Sequence, residues 1–91
     1  MNMPYIEPKD REELDDLIRN LAGHIAGEGY EGRLNYTISS LLVHMVEANG
    51  KRYKTLNALI GVLESSKQEF YRKAVAPYED EKIEQNGDLD W

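Results

Sequence analysis

A chain of 91 residues with a net charge of −6, 41% hydrophobic residues and no cysteine reads as one small folded domain (residues 1–91). Its composition excludes a disulfide framework, thiol catalysis and thiolate metal sites. Binding along a DNA or RNA backbone requires concentrated Lys and Arg, so the charge also speaks against bulk nucleic acid as a partner.

Residues 1–9 read as an extended lead-in fixed by Pro4 and Pro8. The first ten residues have neither a basic start nor an apolar run, so no signal peptide is expected. Asp10, with Glu13 three residues on, has the pattern of a capping box. Leu14, Leu17, Ile18, Leu21 and Ile25 follow at helical spacing and predict a first helix over residues 10–26. The glycine-rich GEGYEG run (27–32) then predicts a flexible connection.

A second helix is expected over residues 34–49, with a stripe of Leu34, Ile38, Leu41, Leu42 and Met45 and a stop at Gly50. Tyr36 and Val43 lie seven apart on its opposite face. Such a strip implies a sandwiched position, contact with another subunit, or two isolated exposed residues. KRYK (51–54) is a basic connection, and Thr55 or Asn57 can cap a third helix that runs to Ala76, before Pro77. A further helical turn or two is expected over 78–85, ended by Asn86-Gly87. Six acids against Lys82 alone make 79–91 an acidic tail, while the preceding residues are nearly neutral.

With no strand pattern, the fold class is all-α. The expectation is a small antiparallel bundle of three main helices plus a short C-terminal helical segment, able to form oligomers. The apolar runs LLVHMV (41–46) and ALIGVL (58–63) are too short to span a bilayer, so no membrane insertion is expected.

The third helix breaks its own pattern. Leu56, Leu59, Ile60, Leu63, Phe70 and Ala74 define an apolar face, and Lys67 falls within it. One reading pairs Lys67 with Glu64 or with a carboxylate of the first helix. The other sets it in a pocket walled by Tyr71 and Tyr78, meeting a small anionic ligand. Arg72 beside Tyr71 supplies a planar donor fork next to an aromatic face, a pairing that suits nucleobases and phosphates. Asn35, bordering the second helix's stripe, can add a hydrogen bond. The candidate ligand-binding set is therefore Asn35, Lys67, Tyr71, Arg72 and Tyr78.

Catalysis is not expected. His24 and His44 lack the spacing of metal ligands, no phosphate-binding loop or nucleophile elbow occurs, and the glycine loop is acidic. No metal or cofactor is implied.

LNYTISSLL (34–42), IGVLE (60–64), KQEFYRKAVAPYED (67–80) and NGD (86–88) together resemble a family of small helical proteins found in bacteriophages and some bacteria. Size and helical content are also similar to the small tetrameric anti-CBASS sponge proteins. That resemblance implies a homo-oligomer, a tetramer, which sequesters cyclic dinucleotides of bacterial immunity between its subunits without degrading them. It implies action in the host bacterial cytoplasm, where the sponge blocks anti-phage defence. The alternative is a protein-interaction adaptor whose acidic segment 79–91 binds a basic host partner.

Overall fold

The structure, a computed structural model, describes residues 6–90. The expected lead-in and the last residue of the acidic tail therefore lie partly outside the described residues. All regular structure among the described residues is helical: α1 (Pro8–Ile25), α2 (Tyr30–Asn49), α3 (Tyr53–Phe70), a π-helical turn (Tyr71–Val75) and α4 (Ala76–Asn86). No helix is long and apolar enough to cross a membrane among the described residues. The described residues divide into two units, 6–59 and 60–90, with the boundary inside α3.

In the first unit, α1 starts two residues earlier than the capping pattern suggests. Glu7 is its cap residue, with extended backbone and no side-chain cap bond, and Pro8 sits at the start of the helix. Proline suits that place because its missing N–H is one that no helical carbonyl would have accepted. Asp10 lies within the first turn and its N–H donates to Glu7 O at 2.9 Å. The incoming chain is held by Arg11, whose Nε donates to Ile6 O at 2.8 Å.

The connection between α1 and α2 is shorter than the glycine run suggested. Gly27 and Gly29 take φ of 111° and 80°, values that favour residues without a Cβ. Helix α2 already begins at Tyr30, so Gly32 is helical. Arg33, one turn into α2, closes the corner. Its Nε donates to Ile25 O at 2.9 Å, and its Nη2 to Ala26 O at 3.3 Å and Glu28 O at 3.1 Å. A cation at the C-terminal end of α1 also meets the negative end of that helix's dipole. Helix α2 ends at Gly50, as its sequence predicts, with φ 97° and its N–H donating to Val46 O. The next helix starts at Tyr53, ahead of the expected caps, and Thr55 Oγ1 instead donates to Asn49 O at 3.5 Å.

In the second unit, Pro77 does not end the helix. Residues 71–75 form a π-turn in which the Ala76 N–H donates to Tyr71 O, five residues back. A proline ring crowds the carbonyl four residues before it. The wider turn ahead of Pro77 carries the helix past that crowding, and α4 continues to Asn86. Gly87 then stops it, with φ 89°. Part of the expected acidic tail is thus ordered helix.

None of the described residues is buried. The stripes predicted to form a core are present but open to solvent: Leu17 is 60% exposed, Ile18 59%, Ile60 65% and Phe70 66%.

Candidate functional site

The five candidate residues are carried by two different units of the chain. Asn35 lies on α2 with an exposed side chain, in the unit of residues 6–59, whereas Lys67, Tyr71, Arg72 and Tyr78 belong to residues 60–90.

Lys67 takes the first of its two readings. Its Nζ lies 3.1 Å from Glu64 Oε2 on the preceding turn, and its side chain is 74% exposed. The reason lies in helix phase. Leu56, Leu59, Leu63, Ser66 and Phe70 step by three and four residues alternately, which sets Ser66 on the midline of the face and Lys67 beside it. The long side chain therefore turns outward to water.

Arg72 is held by its own helix as well. Its Nη2 lies 2.5 Å from Glu69 Oε1, a carboxylate that also has Lys73 Nζ within 3.5 Å. These pairs join residues three or four apart at the surface, where such contacts are worth about 0–1 kcal/mol.

The two tyrosines are brought together. Tyr71 and Tyr78 line a cleft of about 630 Å³ with Glu79, Lys82, Ile83 and Leu89. Tyr71 donates its hydroxyl proton to Glu79 Oε1 at 2.6 Å, and Lys82 Nζ stands 5.5 Å from the centre of the Tyr78 ring, a cation–π distance. The cleft is aromatic with mixed charge. Glu79, Lys82 and Leu89 were missed by sequence reasoning because the helical turns expected over 78–85 were treated as separate from the third helix, so their side chains were not placed beside Tyr71. The signal was available: Tyr78 and Lys82 are four apart, and Asn86-Gly87 marks a helix end beyond them.

The bond to Glu79 is the largest cause of a Tyr71 pKa above the ordinary tyrosine value, followed by the carboxylate's charge, modest desolvation and Asp80. Ionising the phenol removes the donated proton and sets two anions side by side. Whatever stability the contact lends is fully present below the ordinary tyrosine value and is lost as pH rises through the raised one. Tyr71→Phe should therefore flatten the fall of thermal stability above about pH 10. In a titration followed by tyrosinate absorbance, the same variant should lose a step lying above the ordinary value.

A second cleft, of about 400 Å³, opens at the α1–α2 corner, lined by Leu21, His24, Ile25, Arg33, Tyr36 and Thr37. It is mostly apolar, and its one guanidinium is spent on backbone carbonyls. No group of three or more His, Cys, Asp or Glu residues placed to hold a metal ion occurs among the described residues.

The model of a family described as a domain of unknown function, DUF6899, matches residues 3–89. No curated protein and no solved structure matches the chain.

Proposed function

The chain belongs to the DUF6899 family, and we propose that it works without catalysis, as a homo-oligomer that binds and withholds a cyclic nucleotide at the junctions between its subunits. The observation that carries this reading is the absence of any buried residue among those described. Single apolar residues at a surface are ordinary; whole helical stripes with nothing buried beneath them are not. Each Leu, Ile or Phe covered by another copy gains roughly 1.5–3 kcal/mol, and a second copy is always at hand.

The ligand class rests on the chemistry of residues 67–78 and on the likeness to cyclic-dinucleotide sponges. A cyclic dinucleotide presents two phosphates and two flat bases. Tyr71 and Tyr78 offer stacking faces, and Arg72 and Lys67 offer charge. Each cation is engaged in a pair with the carboxylate three residues before it. Because such pairs are worth about 0–1 kcal/mol, exchanging a carboxylate for a phosphate costs little.

A thermal-shift panel of cyclic di- and trinucleotides tests the ligand. A ligand present at a hundred times its Kd should stabilise the protein by about 2.7 kcal/mol, a shift of several degrees. Loss of that shift in Lys67→Ala/Arg72→Ala would support the assignment of the cations. A flat response across the panel overturns the ligand class. Recovery of the intact nucleotide supports sequestration, and its breakdown overturns it.

A further inference from the structure

We infer that the helix from Tyr53 to Asn86 pairs antiparallel with the same helix of a second copy, along the seam Leu56, Leu59, Leu63, Ser66, Phe70, Ala74 and Tyr78. The inference rests on the homo-oligomeric reading above and gives it a surface, a direction and a register.

The seam comes first. Through Phe70 its residues recur at alternating steps of three and four, the spacing that keeps one face toward a partner helix. A strict continuation would next bring Lys73 and Pro77 to that face. The π-turn at 71–75 holds an extra residue per turn, so the steps become four and four, and Ala74 and Tyr78 follow Phe70 instead. The irregularity thus extends the apolar seam by two positions. Phe70 is 66% exposed and Tyr78 58%, so much of each ring is open to a partner.

Direction follows from charge. Lys51, Arg52 and Lys54 cluster at the start of this helix, and Glu79, Asp80, Glu81 and Glu84 lie toward its end, with Lys82 the one base among them. Side by side in parallel, two copies would set base against base and acid against acid. Turned antiparallel, each basic start meets the partner's acidic end, and like-charge contact is avoided at both ends.

Register follows from size. Setting Ser66 opposite the partner's Phe70 places a small side chain against the largest one in the seam. The same alignment sets Leu63 against the partner's Ala74 and Leu59 against the partner's Tyr78. It also brings residues 51–54 alongside residues 83–86, the stretch that holds Glu84. In parallel pairing Phe70 would meet Phe70 and Ser66 would meet Ser66, overfilling one layer and leaving a hole in the next.

Because the chain contains no cysteine, disulfide trapping tests all three points. Leu63→Cys, Ala74→Cys and a chain carrying both are oxidised mildly in the assembled state, after the mass of each in solution is measured. Antiparallel pairing predicts that the doubly substituted chain forms covalent dimers. Each single variant stays uncrosslinked, because each introduced thiol lies about 16 Å or more along the helix from its own copy. An equimolar mixture of the two single variants crosslinks only between unlike chains. Self-crosslinking of Leu63→Cys, or no crosslink from the double variant while the mass remains that of an oligomer, overturns this pairing and leaves the homo-oligomeric reading intact. A monomeric mass for the unsubstituted chain overturns both.

Discussion

Raising the protein concentration a hundredfold should raise the temperature at which the helices melt, and the mass in solution should be a multiple of 10.5 kDa. Ordering the backbone costs about 1–2 kcal/mol per residue, and burial of apolar surface is the main term that offsets it. With no described residue buried, the chain by itself gains this term only from partly covered side chains. On the homo-oligomeric reading proposed above, association stabilises the helices, and a dissociating assembly melts in a concentration-dependent way. Leu17→Asp/Ile18→Asp, on the open face of α1, should remove roughly 3–6 kcal/mol of apolar burial from the assembly. That weakens association by roughly two to four orders of magnitude, with helical circular dichroism lost at concentrations where the unsubstituted chain retains it. A helical monomer whose melting ignores concentration would contradict the expectation.

The second large effect is expected at Arg33. Arg33→Ala removes donors from Ile25 O, Ala26 O and Glu28 O together. Hydrogen bonds to charged groups contribute about 1.5–3 kcal/mol each when well shielded. These are exposed, and water takes over as acceptor, so a total of about 1–3 kcal/mol is expected in urea unfolding. Arg33→Lys keeps the charge but not the fork that reaches carbonyls on both sides of the corner, and should recover less than half of the loss. Hydrogen exchange localises the effect: the Tyr30 amide, which donates to Gly27 O at 3.1 Å, should lose protection in Arg33→Ala. Unchanged protection there, with a uniform loss elsewhere, would show that Arg33 does not hold the corner.

Helix identity was legible where apolar spacing and glycine agreed. Leu14 to Ile25 and Leu34 to Met45 announce α1 and α2, and Gly50 and Gly87 mark true helix ends with positive φ. What escaped were features that depend on a neighbour in space. Arg33 reads as a surface charge until the carbonyls of residues 25–28 are turned toward it. Pro77 reads as a stop because proline costs a helix interior about 3 kcal/mol; that a π-turn would precede it is not encoded in any periodicity.

The candidate site shows the same division. Counting at 100° per residue puts Lys67 within an apolar face, but a difference of one position sets Ser66 on the midline and Lys67 beside it, with its side chain 74% exposed. The contact of Tyr71 with Glu79, eight residues on, spans the π-turn and could be found only with the turn in place.

The ion pairs described have a consequence for how this protein responds to its medium. Lys9–Glu7, Arg19–Asp16, Lys67–Glu64, Arg72–Glu69 and Lys73–Glu69 all join residues within four positions of each other. Added salt screens such neighbours by only a few tenths of a kcal/mol apiece. Ionic strength therefore has little direct leverage on the secondary structure of the chain, and its main leverage falls on the attraction between basic and acidic stretches of different molecules. Within the proposed assembly, sodium chloride turns quaternary structure down, and helix content falls with it once the copies separate, because the stripes that association covers are open to solvent in the single chain.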